Sequence, residues 1–259
     1  DTFTYTITDD KDGSNQATVT VFTSAVGEHA LLFDGSGSHV KIDPSENLSI
    51  TGPFTIESRF YMRSNGEYGD PGFGRIIDKN QISLFSNGKG HAIYPDNSLV
   101  LAIFGNDQQM ATANSPSGSL QTGRWHHVAV TYDGATSVRM WIDGNEVKTS
   151  YEVGGLKGGV ADNRMQPVYI GESGKGDRAF DGLIDFVRLW NQARSPQQIF
   201  SFQTPFDPSD KTALVGAWEF IEGSKKVVHD ASPMANHGFL DGAIWAPKDD
   251  GFLAEVLSW

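Results

Sequence analysis

Short runs alternating between apolar and polar side chains, broken by turns rich in glycine, asparagine and aspartate, fill most of the chain. Phe3, Tyr5 and Ile7 alternate with threonines, and Ala17-Thr-Val-Thr-Val-Phe22 alternates again beyond the polar stretch Asp9-Asp-Lys-Asp-Gly-Ser-Asn15. The pattern predicts a hairpin over residues 1–22. From Ala30 the runs lengthen. Phe54, Ile56, Ser58, Phe60 and Met62 fall on one side of a strand and Thr55, Glu57, Arg59 and Tyr61 on the other, the period of an antiparallel sheet with one buried face. Trp125-His-His-Val-Ala-Val-Thr-Tyr132 is a further strand, and Val138-Arg-Met-Trp-Ile142 turns through Asp143-Gly144 into Asn145-Glu-Val147, a strong short-range hairpin signal. Val168-Tyr-Ile170 and Leu183-Ile-Asp-Phe-Val-Arg-Leu-Trp190 follow. One helix is predicted, with Ser195 as cap, Pro196 in its first turn and Gln197 to Phe202 after it. No internal repeat recurs at a fixed period, and the fold class expected is all-β.

Composition narrows the class further. Twenty-nine glycines and 11 prolines in 259 residues supply the turns that so many strands need. Twenty Lys and Arg against 32 Asp and Glu leave a net charge of −12, which argues against nucleic acid and anionic membrane surfaces as partners. It suits solubility, and it suits uptake of divalent cations. There is no cysteine, so thiolate zinc and cysteine nucleophiles are excluded; an extracellular chain would need a stabiliser other than disulfides, with bound calcium the expected one. No apolar run approaches the roughly 20 residues of a membrane span. The chain opens mid-strand without a leader, as a piece of a longer polypeptide would.

Several motifs arrive together in a recognisable order. They are Ala30-Leu-Leu-Phe-Asp-Gly35 with His39-Val-Lys-Ile42, Phe54-Thr-Ile-Glu-Ser-Arg-Phe60, Arg124-Trp-His-His-Val-Ala-Val-Thr-Tyr-Asp-Gly134 with Trp141-Ile-Asp-Gly144, Ile170-Gly171, and Phe180-Asp-Gly-Leu-Ile-Asp-Phe-Val-Arg-Leu-Trp-Asn191 followed by Ser195-Pro196. The span from about 28 to 247 resembles the laminin-G-like, pentraxin-like branch of the concanavalin-A-type lectin and glucanase fold. The resemblance implies a two-sheet antiparallel jelly-roll sandwich over 25–259. Residues 1–24 resemble the closing hairpin of the cadherin-like repeats of bacterial surface proteins, with Asp9, Asp10 and Asp12 as a solvated turn or a junction calcium site. The segment Leu214-Val-Gly-Ala-Trp-Glu-Phe220 through Asp230 to Trp245 resembles one that often opens such a domain, yet here comes last. It either closes the same sandwich or begins a second copy; closure is expected, because a half-sandwich would expose Trp218 and Phe220.

Catalysis is not expected. Hydrolases of this fold carry paired carboxylates on one strand, and no Glu here is followed two residues later by Asp. Glu219 and Glu222 are the nearest acidic pair, His126 and His127 lack metal-ligand spacing, and Gly171-Glu-Ser-Gly-Lys-Gly176 lacks phosphate-loop spacing. On the strand 183–190, Asp185 alternates with Leu183, Val187 and Leu189, while Arg188 alternates with Ile184, Phe186 and Trp190, so whichever face is buried carries a charge in need of a partner. The resemblance implies a structural calcium held by Asp34, the carbonyl of Gly37 and Asp185; a buried hydrogen-bonded Asp or an Asp–Arg pair is the alternative. It also implies a ligand calcium on the loop 171–178, through Glu172 and Asp177 with Arg178 beside them. Glu67 and Asp70, and Asn106 and Asp107, offer further oxygen donors. Such an ion would hold vicinal sugar hydroxyls, with Tyr68, Phe73 or Trp141 stacked on the ring. The family's Glu-Gln-Asp run is not reproduced here.

The function expected is a calcium-dependent lectin module, monomeric within the longer chain of a secreted bacterial surface adhesin, whose partners are vicinal-diol glycans on cells or extracellular polysaccharide. The alternatives are a non-catalytic carbohydrate-binding module of a secreted polysaccharide-degrading enzyme, or a structural or protein-binding laminin-G module.

Overall fold

The computed structural model describes residues 2–8, 14–20, 29–66, 72–88, 96–107, 109–151, 159–200 and 211–248. Strands run in the order β1 (Thr2–Thr8), β2 (Ser14–Thr20), β3 (His29–Asp34), β4 (His39–Ile42), β5 (Phe54–Met62), β6 (Phe73–Asp78), β7 (Ile82–Asn87), β8 (Ser98–Phe104) and β9 (Met110–Asn114). They continue with β10 (Trp125–Tyr132), β11 (Val138–Ile142), β12 (Asn145–Val147), β13 (Ser150–Tyr151), β14 (Val168–Ile170) and β15 (Asp181–Trp190). After the short helix α1 (Pro196–Phe200) come β16 (Leu214–Trp218), β17 (Val227–Val228), β18 (Gly238–Asp241) and β19 (Ile244–Pro247). In α1, Ser195 Oγ accepts the Gln198 N–H and the Gln198 side chain accepts the Ser195 N–H, a capping box. Gln197 to Phe200 of the expected helix are seen; 201 and 202 lie outside the described residues.

β1 and β2 form the hairpin expected near the start, with Thr2 opposite Thr20 and Thr8 opposite Ser14. The remaining strands make two antiparallel sheets. The first runs β12-β11-β10-β5-β15-β3-β19, with β16 also paired to β15, and the second runs β13-β9-β8-β7-β6-β14-β4-β18-β17. Leu31, Phe33, Ile56, Phe60 and Ile184 of the first sheet and Val40, Ile77, Leu84, Leu101 and Ile170 of the second share one core. The turn between β11 and β12 places Asp143 at φ 50° and Gly144 at φ 80°, the left-handed pair that an Asp-Gly hairpin requires. The segment 214–247 closes this sandwich. β16 joins the first sheet, β18 pairs with β4, β19 pairs with β3, and Trp218 and Phe220 are fully buried.

Two features depart from simple alternation. The outer face of the first sheet, expected to meet solvent, is buried too: Thr55 and Glu57 on β5 are enclosed, and Trp141 packs with Ala129 and Ile199. Trp141 is therefore a core residue and no sugar platform. Each sheet also carries a β-bulge that flips the parity of a strand. Between Ile184 and Phe186 the register of β15 against β5 shifts, so Ile184, Val187 and Leu189 all reach the core, and Asp185 and Arg188 come to lie on the same outer face instead of opposite ones. Asp185 pairs with Arg59 at 2.7 Å and with Lys248. Arg188 grips Glu219 with two nitrogens, at 2.7 and 2.8 Å, and stands 3.7 Å from Glu57. The bulge between Arg75 and Ile77 on β6 likewise brings Arg75 and Asp78, three residues apart, onto one face of the second sheet.

Candidate functional site

That second bulge shapes a groove of about 470 Å³ on the outer face of the second sheet. Register fixes its floor: Arg75 faces Phe85, Asp78 faces Ser83, and Ser83 faces Ala102, while Ile77, Leu84 and Leu101 point the opposite way into the core. Phe104 and Met110 border one side. On the other stands the loop from Gly171 to Arg178, which contributes Ser173, Lys175 and Arg178. The backbone N–H of Arg75 donates to the Arg178 carbonyl at 3.0 Å, which ties the loop to the sheet. The aromatic floor is layered: Phe73 meets Phe85 edge-on at 5.4 Å, the Arg75 guanidinium lies 4.1 Å from the Phe85 ring, and that of Arg178 lies 5.6 Å from Phe73. Phe85 is buried, Phe73 is half-buried and Phe104 is 39% exposed, so Phe104 and Phe73 are the rings a ligand can touch.

Charge in the groove is arranged unequally. Asp78 accepts from the Asn80 N–H on one oxygen and from Ser83 Oγ at 2.6 Å on the other, and forms an ion pair with Arg75 at 3.1 Å. Lys79 adds nothing to this surface. Its ammonium turns inward onto the carbonyls of Asn163 and Gln166, and burial lowers its pKa to about 8 against the pull of Asp162.

The residues expected to bind ligand or metal separate into those the structure gathers and those it does not. Phe73, Arg178 and the loop carrying Glu172 and Asp177 meet at the groove. Asn106 and Asp107 sit in the turn between β8 and β9, beyond Phe104, where Asp107 accepts the Gln109 N–H. Tyr68, Asp70 and Glu67 lie outside the described residues. The set Asp34, Gly37 and Asp185 does not assemble. Asp34 is opposite Asp181, four residues along β15 from Asp185, a separation of about 13 Å at strand rise. Its carboxylate serves its own turn, through Ser36 N–H and the N–H and hydroxyl of Ser38. Partial burial pushes the Asp34 carboxyl up, and these hydrogen bonds outweigh it and hold it below the usual range.

Gly37 belongs instead with Glu172, around His39: the ring Nδ1 is 3.0 Å from the Gly37 carbonyl and 3.3 Å from Glu172. Glu172 is turned inward and nearly inaccessible. Burial raises its carboxyl pKa, opposed by His39 and by the N–H groups of Gly176 and Gly174, and the nearby Asp177 raises it further. Asp177 accepts from Ser173 Oγ across the loop. Two carboxylates fall well short of the six to eight oxygens calcium takes, and among the described residues no group of three or more His, Cys, Asp or Glu side chains could hold a metal ion. These residues do not fit a calcium site. A chelator is accordingly expected to leave the melting midpoint unchanged, where release of an ion held at 1,000 times its dissociation constant would remove about 4 kcal/mol.

The groove's Arg75, Phe85, Phe104 and Lys175 were not singled out by sequence reasoning. Ser98-Leu-Val-Leu-Ala-Ile-Phe104 is apolar at successive positions, because both faces of β8 are covered, so period-two alternation could not tell which side chains line the outer face.

The model of the concanavalin A-like lectin/glucanases superfamily, in its laminin-G form, matches residues 34–200. The chain belongs to this superfamily. Among solved structures, this superfamily member is similar to a candidate carbohydrate-binding protein from Bacteroides ovatus, with TM-score 0.62, 21% identity and coverage of 91% of this chain and 67% of that one. It is also similar to the heptameric SAP-like pentraxin of Limulus polyphemus, with TM-score 0.54, 16% identity and coverage of 87% and 97%. The sushi, von Willebrand factor type A, EGF and pentraxin domain-containing protein 1 of Rattus norvegicus is 28% identical over 186 residues, 68% of this chain and 5% of that protein. The superfamily chain thus corresponds to a small part of that relative. No helix among its described residues is long and apolar enough to cross a membrane.

Proposed function

We propose that the chain is a non-catalytic carbohydrate-binding module that seats a glycan in the groove on the outer face of its second sheet. The observation that carries this reading is the groove itself, where accessible rings of Phe104 and Phe73 lie beside hydrogen-bonding side chains on β6, β7 and the loop 171–178. Apolar faces for a sugar ring with a few polar groups at its rim are the usual make-up of a small-ligand site. The candidate carbohydrate-binding protein of Bacteroides ovatus shares the fold and adds support. No reaction is part of the proposal. Glu57, Glu219 and Asp185, the enclosed carboxylates of the first sheet, are each held by a cation on the opposite side of the sandwich from the groove. Placement in a secreted surface adhesin belongs to the same proposal, and the acidic, cysteine-free composition supports it.

The test is a panel of immobilised polysaccharides probed in calcium and in chelator, followed by the Phe104→Ala variant on whichever glycan is retained. Binding is expected in both buffers. Phe104→Ala should weaken it about tenfold or more, the loss of roughly 1.4 kcal/mol or above that truncation of an aromatic anchor brings, with melting unchanged because the ring sits at an exposed strand end. Binding that survives Phe104→Ala at full strength would place the glycan elsewhere.

A further inference from the structure

Resting on the glycan reading of that groove, we infer that its ligand is an internal stretch of a linear polysaccharide, held at two separated aromatic subsites, and not a terminal sugar. Strand register sets the distance between the subsites. Phe73 lies across from Asn87 on β7. At the other end the Phe104 N–H donates to the Gln81 carbonyl at 2.9 Å, just before β7 begins. From Gln81 to Asn87 the chain advances six residues, which is about 20 Å at strand rise. Phe73 is on β6 and Phe104 on β8, with β7 between them, a further offset of about 10 Å at the usual strand spacing. The two residues therefore stand more than about 20 Å apart along a diagonal of the sheet. One sugar ring stacked on either phenyl ring, at the few ångströms such contacts require, cannot reach the other.

Both rings nonetheless line the same groove. What separates them is small or kept low: Ser83, Ala102, the Arg75–Asp78 pair, and Phe85, which is buried with the Arg75 guanidinium 4.1 Å from its ring. The loop 171–178 flanks this stretch. Its Arg178 carbonyl accepts from the Arg75 N–H, and its Gly174 sits so close to Tyr169 that a Cβ would come within 2.4 Å of the ring. Tyr169 is in turn across from Asp78. The loop is thus a side wall along β6 from Arg75 to Asp78, while the accessible rings mark the two ends. A pocket for a chain end needs a wall across its axis; a side wall with a ring at each end suits a chain that passes through. Sugars bridging the rings meet Ser173 and the Asn80 carboxamide, which both donates and accepts and so matches hydroxyls.

The experiment titrates the protein with oligosaccharide ladders, from monosaccharide to octasaccharide, cut from β-1,4-galactan, β-1,4-mannan, β-1,3-glucan and polygalacturonate. For at least one ladder the affinity is expected to climb about tenfold or more from disaccharide to hexasaccharide and then level off, because the second contact becomes intramolecular once the ligand spans both rings. In Phe104→Ala the climb should vanish, the hexasaccharide binding no better than the disaccharide, with melting unchanged because the ring is 39% exposed. A bulky benzyl group on the non-reducing end of the octasaccharide should leave its binding unchanged. Loss of binding on that blocking means that a chain end is recognised and overturns the inference. A monosaccharide that binds as tightly as its hexasaccharide, and is lost in Phe104→Ala, likewise overturns it and leaves the groove reading standing. A length dependence that survives Phe104→Ala intact overturns the groove reading, and binding of none of the four ladders overturns both.

Discussion

Arg188→Met should strip roughly 3–5 kcal/mol from the protein, read as a fall of about 10 °C or more in melting temperature or an equivalent shift in a urea midpoint. Arg188 is 2% exposed, as is Glu57, and Glu219 is largely enclosed with them. Methionine fills much of the same space and has no charge, so the loss is not one of packing. It comes from leaving Glu219 without its two-nitrogen clasp and Glu57 without its nearest guanidinium, both in a region that solvent barely reaches. The companion variant identifies the cause. Adding Glu57→Gln to Arg188→Met removes one of the stranded charges and should restore part of the stability, whereas Glu57→Gln alone should be destabilising because it weakens the bond to His127. A double variant no more stable than Arg188→Met would mean that the cost lies in shape and not in charge.

Gly182→Ala should be of comparable size, again roughly 3–5 kcal/mol. Gly182 sits at φ 143°, and a Cβ built there would fall 2.0 Å from the Tyr61 carbonyl oxygen and 3.0 Å from the Arg63 nitrogen. Both are backbone atoms of the chain at the end of β5, so no rotamer can yield; β15 must move away from β5, its neighbour in the middle of the first sheet. Gly118→Ala is the control. Its φ of 75° is also in the left-handed region, but nothing lies within 4 Å, so it should cost only the conformational strain of about 1–2 kcal/mol. Equal effects at the two positions would show that backbone conformation, and not the close approach of two strands, sets the cost at Gly182.

The fold was legible in the sequence for reasons these residues make clear. Phe54 to Met62 alternate because β5 has one core-facing side, and Asp143-Gly144 names its turn because two successive residues must adopt positive φ. The charged constellations were less legible, and for one shared cause. Asp185 with Arg188, and Arg75 with Asp78, are spaced by three, which in an unbroken strand puts the partners on opposite faces. A bulge in each strand reunites them, and nothing in a period-two pattern announces an inserted residue. The ion-sharing of Asp34 with Asp185 that the resemblance implied fails on register, which places Asp181, and not Asp185, across from Asp34. The loop of Glu172 is visible in the sequence, but the inward turn of its side chain is not, because its contact is with His39, which is distant in sequence.

The pairing of β3 with β19 has a mechanical side. His29 lies across from Pro247, and Leu32 across from Ile244, so the two ends of the sandwich leave it as immediate antiparallel neighbours. Tension drawn through the flanking polypeptide would act across that pair and not along it. Each rung of the β3–β19 ladder would carry the whole load in turn and part before the next was stressed, as a zipper opens. Strands loaded in parallel share a force among many bonds at once; this pair cannot. Under pull, the module would yield first at the β3–β19 pair, and the ladder between β3 and its other neighbour in the sheet, β15, would be loaded next.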